Sequence, residues 1–397
     1  IRRPPRSTLD RSSAASDVYK RQKYTNVLNV ILNGQKNLYM KVALITDQHF
    51  GGKQDSQYFS EYIEKFYTNQ FFPYLLEHDI INVVDLGDTF DRRKYVNFHT
   101  LNEVKRFYFD VLAQHHIKLH SIVGNHSTYY RNTNNVNSSE LLYSHYNNIE
   151  VYPEASTICI DGTVIDLIPW INSENYEKTM YFIKHSKAQV ALGHLEVAGF
   201  AMYKGYNAED GISKNIFKGY EVVCSGHYHH KSSKDNIHYL GAPYEITWND
   251  YDDPRGFHVF DTETRELEFI QNKFRLFEKI YYDDSGSVDY KEIDTSYYKD
   301  KIVKLIVEEK TNLSAFEDFV EKLYKSELND LTILEDLSEY SMRYGDNDEE
   351  DLEVGNTSTF LDEYVDSIPD KNVDGVERKK VKKLLQVIYD EALNMDE

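Results

Sequence analysis

The chain has 397 residues, 41% hydrophobic and 28% charged, and carries a formal charge of −21, with two cysteines, Cys159 and Cys224. That length suits one large catalytic domain with small appended ones, and no apolar run approaches the roughly 20 residues that span a bilayer. A disulfide scaffold is excluded in favour of two buried free thiols in a reducing compartment, and the acidity argues against a protein that grips duplex DNA unaided.

Residues 1–38 begin Ile1-Arg2-Arg3-Pro4-Pro5-Arg6 and have no apolar signal region; they read as a non-native leader, with Met40 as the expected start. From there short apolar strands alternate with amphipathic helices, the pattern of an α/β domain. Strands are predicted at Val42–Ile45, Ile80–Leu86, Ile117–Val123, Gln189–Leu192 and Glu221–Cys224. Tyr58, Phe59, Tyr62, Ile63 and Phe66, and later Leu101, Val104, Tyr108, Val111 and Leu112, recur at helical spacing and are core stripes.

Each of the five strands runs into a turn carrying Asp, Asn or His, and ligand sites in open α/β sheets collect at the carboxyl ends of strands. The turns are Asp47-Gln48-His49, Gly87-Asp88-Thr89-Phe90-Asp91, Gly124-Asn125-His126, Gly193-His194 and Gly226-His227-Tyr228-His229. Asp47 with His49, and His227 with His229, are spaced two apart; on a strand that spacing puts both side chains on one face, able to grip one ion. Asp88 has two oxygens with which to bridge two ions, and Asn125 offers a neutral oxygen. Taken singly, each has a plain alternative: a helix-capping aspartate at Asp88, a core histidine at His194, a surface pair at His229-His230. Five in sequence point to one shared site.

After about residue 280 a strand at Ile302–Val307 and a helix opened by a Ser314-x-x-Glu317 capping box predict a small α+β module. Residues 345–356, including Asp346-Asn347-Asp348-Glu349-Glu350-Asp351, read as a solvated linker. Two amphipathic helices follow, Thr359–Ser367 and Val376–Leu393, with little core of their own and a partner surface as their expected target. The expected division is thus a leader (1–38), a catalytic domain (40–280), a capping and DNA-binding domain (281–344), a linker (345–356) and a partner-binding segment (357–397).

The ordered set Asp-x-His, Gly-Asp, Gly-Asn-His, Gly-His, Gly-His-x-His resembles the calcineurin-like metallophosphoesterases over about residues 40–275. Within them the chain looks most like the SbcD-type nucleases, particularly the form of T-even-like phages. Ile168-Pro169-Trp170, Gly199-Phe200 with Tyr203-Lys204-Gly205, Gly241-Ala242-Pro243, Asp253-Pro254-Arg255-Gly256-Phe257 and the segment from Phe360 to Asp370 carry that likeness. The resemblance implies an α/β sandwich of two mixed β-sheets flanked by helices, and a manganese- or magnesium-dependent DNA exonuclease and endonuclease. It places Asp47, His49 and His229 on one metal ion, Asn125, His194 and His227 on a second, and Asp88 between them, with His126 at the scissile phosphate. It further implies an SMC-like, ABC-type ATPase partner of the SbcC kind, a homodimer in a two-plus-two assembly engaged in recombination and break repair, and residence in the cytoplasm of a phage-infected host.

One position departs from the family: Ser127 stands where an Asp usually follows Gly-Asn-His, which predicts a less well poised His126. Arg92, Arg93, Lys94, Tyr129, Tyr130 and Arg131, on loops beside the ligands, are candidate phosphate contacts. Two other readings share the metal residues: a phosphodiesterase for small phosphoesters, disfavoured by the C-terminal modules, and a non-catalytic scaffold, disfavoured by the complete ligand set.

Overall fold

The computed structural model describes residues 41–335, apart from residues 204, 205 and 209. The leader, the acidic linker and the two C-terminal helices expected from the sequence lie outside the described residues.

Two six-stranded sheets are built from strands between Lys41 and Gln271. The strands in chain order are β1 (Lys41–Ile45), β2 (Asn82–Asp85), β3 (Lys118–Ile122), β4 (Ile149–Tyr152), β5 (Ser156–Ile160), β6 (Thr163–Ile168), β7 (Val190–His194), the small hairpin β8 (Ala201–Tyr203) and β9 (Tyr206–Asn207), β10 (Val222–Gly226), β11 (Ser232–Lys234), β12 (Ile237–Tyr239), β13 (Gly256–Asp261) and β14 (Leu267–Gln271). The first sheet runs β14-β13-β1-β2-β3-β4 and the second β11-β12-β10-β7-β6-β5. In both the central strands are parallel and one or both edges antiparallel, the two mixed sheets that the resemblance implied.

Val42, Leu44, Val84, Leu86 and Ile122 from one sheet and Leu167, Leu192 and Cys224 from the other form one buried cluster, so the sheets share a core. Strands buried on both faces read as near-continuous apolar runs; Val42 to Ile45 of β1, Val83 and Val84 of β2 and Val222 to Cys224 of β10 are such runs, while β2 also buries the polar Asn82 and Asp85. Helix α1 (Gln57–Phe66) buries Phe59, Tyr62, Ile63 and Phe66, the i, i+3, i+4, i+7 stripe of the sequence. A π-helical turn, Tyr67–Phe71, then leads into a last helical turn carrying Pro73, and the turn keeps Tyr67, Gln70 and Phe71 on the buried side. Helix α2 (Phe98–Val104) likewise continues through a π-helical turn, Lys105–Phe109.

A third, parallel sheet of β15 (Phe277–Asp283), β16 (Ile302–Glu309) and β17 (Asp330–Glu335) has its own core of Ile280, Tyr282, Val303, Leu305, Phe316, Phe319 and Leu323, covered by helix α3 (Leu313–Tyr324). Its first strand begins at Phe277, a few residues before the expected division at 280.

Two sequence expectations change here. Helix α3 is capped by Asn312, whose side chain accepts from the Ala315 amide, so Ser314 lies inside the helix and the expected box does not form; Asn competes well for that position because its short amide reaches the third amide of the helix. Cys224 is buried but Cys159 is exposed, since β5 is an edge strand whose residues alternate outward. Among the described residues no helix is long and apolar enough to cross a membrane.

Candidate metal centre

The five motifs meet where the parallel strands of both sheets end. Asp47 and His49 follow β1, Asp88 follows β2, Asn125 and His126 follow β3, His194 closes β7, and His227 and His229 follow β10. Strand alternation is not what brings Asp47 and His49 together: both lie past the end of β1, with φ of 50° and 44°. His227 likewise lies past β10 with φ of 87°. The turns, not the pleat, aim these side chains, and His227 and His229 accordingly go to different places.

Asp47, His49 and His229 form one group of converging donors, and Asp88, His194 and His227 another, each with its ligand atoms within 4.8 Å. His49 Nε2 faces His229 Nε2 at 3.0 Å. Asn125 Oδ1 lies 2.8 Å from both His194 Nε2 and His227 Nδ1, and His194 Nε2 is 3.2 Å from Asp88 Oδ2. The two groups are tied by the His227 amide, which donates to both carboxylate oxygens of Asp47 at 3.1 Å. His126 stands beside the first group, its ring 4.8 Å from that of His49, and its amide donates to Asp88 Oδ1 at 2.8 Å.

Residues 40–231 match the family model described as Calcineurin-like phosphoesterase. Across 332 residues, 83% of this chain and 94% of the relative, the sequence is 35% identical to Exonuclease subunit 1 of Enterobacteria phage T4. The chain belongs to the calcineurin-like phosphoesterases. Among solved structures, a novel archaeal phosphodiesterase is 10% identical with a TM-score of 0.31, covering 58% of this chain and 99% of its own. GAP50, the anchor in the inner membrane complex of Plasmodium, is 14% identical with a TM-score of 0.36, covering 59% and 90%. Similarity at that level carries no functional weight.

The donor set of this phosphoesterase fits divalent cations. Seven side chains offer imidazole nitrogen, carboxylate oxygen and one amide oxygen, with no sulfur, which suits manganese, magnesium, iron or zinc. Neighbouring donors stand 2.8 to 3.2 Å apart, the edge length for ligands at roughly 2.1 Å from an octahedral ion.

Charge is distributed to match. Burial opposes a charged His49, yet its hydrogen bond to Asp91 and the charges of Asp91, Asp88 and Asp47 raise it to about 9. Burial also opposes charge on His194, and Asp88 overrides it, again to about 9. Burial and the charge of His194 push His227 down to about 3, and burial with His49 holds His229 well below its usual range. Burial raises Asp47, whereas the charges of His194 and His126 overcome burial at Asp88 and hold it well below the carboxylate range. Two imidazoles are thus neutral and available to a cation, and two carry protons that a cation would have to displace. Manganese affinity is therefore expected to rise with pH up to about 9, with release approaching two protons at pH 7, read by calorimetry in buffers of different ionisation enthalpy. In the metal-free protein the sign reverses: the raised His49 and His194 values stabilise the fold fully below pH 6.5, and that contribution is lost as pH rises through 9.

Sequence reasoning quoted Asp91 without giving it a role. Its Oδ1 lies 3.1 Å from His49 Nδ1, and its backbone carbonyl accepts from His126 Nδ1 at 2.5 Å. A carboxylate on the far nitrogen of a ligating histidine fixes its tautomer and orientation; the spacing of three from Asp88 was the available signal. Ser127 takes no part, for its hydroxyl is buried without a partner while its amide and carbonyl serve the turn. The orientation of His126 comes instead from Asp91. Beyond these, Arg255 donates to the His229 carbonyl and pairs with Asp250 and Asp253, bracing the turn that carries His229.

The glycines of the motifs are there for space. A Cβ on Gly226 would sit 1.9 Å from Thr46 Oγ1 and 3.1 Å from Asp47 Oδ2, and one on Gly124 would sit 2.2 Å from Asp88 Oδ1. Gly226→Ala is expected to destabilise the protein by about 1–3 kcal/mol, the usual overpacking cost, and to lower manganese affinity because Thr46, which donates to Asp47 at 2.9 Å, has to shift. Calorimetric melting and metal titration of the variant check both.

The candidate phosphate contacts separate into two kinds. Arg92 is ion-paired with Asp55 and lies over the Tyr95 ring, and Arg93 lies over Trp170 at 5.3 Å. With Lys94 and Tyr129 they line a groove of about 380 Å³ that also includes Phe98 and Leu141. Tyr130 and Arg131 are exposed outside it.

Proposed function

We propose that this phosphoesterase is a metal-dependent DNA nuclease that hydrolyses phosphodiester bonds. The observation that carries the reading is the convergence of seven donor side chains into two adjacent groups with His126 at their edge; the similarity to a phage exonuclease subunit over most of both chains supports DNA as the substrate. Asp47, His49 and His229 would hold one ion and Asn125, His194 and His227 the other, with Asp88 available to both. A divalent pair, manganese by the family resemblance, supplies the Lewis acidity that activates water and neutralises phosphate charge.

The protein's own groups do the rest. Burial of the carboxylates keeps bulk water from competing for their oxygens, and Asn125 adds an oxygen without adding negative charge beside a phosphate. His126, its Nδ1–H held on the Asp91 carbonyl, is the group that donates a proton to the departing 3′ oxygen or a hydrogen bond to the phosphoryl group. Phosphate contacts from Arg92, Arg93, Lys94, Tyr130 and Arg131 would position the strand without reading its sequence; of these, Arg92 is ion-paired with Asp55 and Arg93 lies over the Trp170 ring.

An SMC-like ATPase bound by the C-terminal segment, in a two-plus-two assembly in the host cytoplasm, completes the reading, and such a partner would supply basic surface that a chain of charge −21 lacks. The test is manganese-dependent degradation of linear double-stranded DNA by the protein begun at Met40, with bis-p-nitrophenyl phosphate in parallel. Cleavage of DNA supports the nuclease. Hydrolysis of the model ester alone, unchanged when an SMC-like ATPase is added, favours a small-phosphoester enzyme, and silence on both leaves a scaffold.

A further inference from the structure

We propose that Gln48 and Asp85 form a buried clasp that sets the affinity of the metal centre by holding its backbone-strained ligand residues in place. The inference rests on the reading of Asp47, His49 and Asp88 as metal ligands. Gln48 stands between two of them in sequence, but its side chain points the other way, into the core. Its Nε2 donates to Asp85 Oδ2 at 2.9 Å, its Oε1 accepts from the Tyr67 hydroxyl and its carbonyl from the Tyr244 hydroxyl. Asp85, the last residue of β2, also accepts from the Gly87 amide at 3.0 Å and from the Thr89 hydroxyl at 2.6 Å, the two residues flanking Asp88. Thr89 continues to Tyr143 and from there to Ser121 of β3, each step 3.0 Å. Gln48, Asp85, Thr89, Ser121, Tyr67, Tyr143 and Tyr244 are all 0% exposed.

Three features indicate that this network positions ligands. Asp47, His49 and Asp88 have φ of 50°, 44° and 56°, conformations that residues with a Cβ populate sparsely and keep only where the surroundings over-determine them. Amide hydrogen bonds from Asp47 to the Gly87 carbonyl, from His49 to that of Asp88 and from Phe50 to that of Thr89, at 2.9 to 3.0 Å, lay the two loops side by side, and the clasp ties both loops of that pair to the core beneath them. Finally, Tyr67 and Tyr244, which bond Gln48, belong to the large aromatic core, so the Gln48–Asp85 pair is a polar contact set inside an otherwise apolar cluster. A buried polar pair adds little stability over apolar isosteres and is kept for the geometry it specifies.

The experiment titrates Mn²⁺ into the metal-stripped full chain by calorimetry, with thermal melting of the metal-free protein alongside. Gln48→Leu with Asp85→Asn deletes the contact while leaving an acceptor for the Gly87 amide; Gln48→Glu with Asp85→Asn reverses donor and acceptor and keeps it. The deleted pair is expected to bind Mn²⁺ about 10- to 100-fold more weakly, the usual cost of losing support behind a ligand, and the reversed pair to regain most of that affinity. Wild-type affinity in a folded deleted pair, or a reversed pair as weak as the deleted one, overturns the clasp. Should the deleted pair not fold, Tyr67→Phe, which removes one hydrogen bond to Gln48, decides the matter: weakened binding at unchanged melting supports the clasp and unaltered binding overturns it. Absence of Mn²⁺ binding by the wild type overturns the ligand reading itself and the clasp with it.

Discussion

Replacing Asp88 by Ala is expected to lower kcat/KM for phosphodiester hydrolysis by at least about 10³-fold, equivalent to about 4 kcal/mol. Asp88 is 2% exposed and lies within 3.2 Å of His194, while its other oxygen accepts from the His126 amide. Its loss therefore removes the oxygen that the proposed reading offers to a metal ion, takes from His194 the anion that raises it to about 9, and frees the turn that carries Asn125 and His126. Three readouts should move together: hydrolysis of DNA and of bis-p-nitrophenyl phosphate falls, bound manganese per chain falls, and the His194 imidazole titrates at lower pH by NMR. Activity persisting at full metal content would show that Asp88 is no ligand.

His126→Ala is expected to behave differently. A positioned general acid contributes about 10²- to 10⁴-fold, and His126 lies outside the two ligand sets of the proposed reading, so kcat should fall by that factor with metal content and melting temperature nearly unchanged. Leaving-group chemistry separates its two possible duties. A 3′ alkoxide needs a proton as it departs and p-nitrophenolate does not, so a proton donor at His126 makes the loss much larger for DNA than for bis-p-nitrophenyl phosphate. Equal losses on both substrates would assign His126 to binding the phosphoryl group. An unchanged rate on DNA removes it from the mechanism.

Much of this molecule is written locally. The apolar runs that become β1, β2, β3, β7 and β10 and the stripe of α1 are fixed by residue spacing, because a strand or helix that faces a core on a regular period has to carry apolar side chains on that period. The positions of the metal-type residues follow from the same cause, since each stands in the turn just beyond or at the end of a parallel strand, and parallel strands in one layer bring all their carboxyl ends to one edge. Spacing alone thus reaches an α/β domain, the shared edge and the seven donors, and the two-sheet sandwich follows from the resemblance those motifs carry.

Which donor meets which is another matter. His227 and His229 share a motif yet sit in separate groups, and Asp47 and His49 are aimed by left-handed backbone that no pattern of polar and apolar residues announces. The support of Asp91 for both His49 and His126, the Asp85 carboxylate beneath the ligand loops and the cap at Asn312 depend on where side chains separated in sequence, or competing neighbours within a turn, end up in space. Periodicity records only whether a side chain faces core or solvent. The partner of a buried polar group is chosen by three-dimensional packing, because a desolvated donor or acceptor must find one there, and that choice is what only the tertiary structure of this phosphoesterase decides.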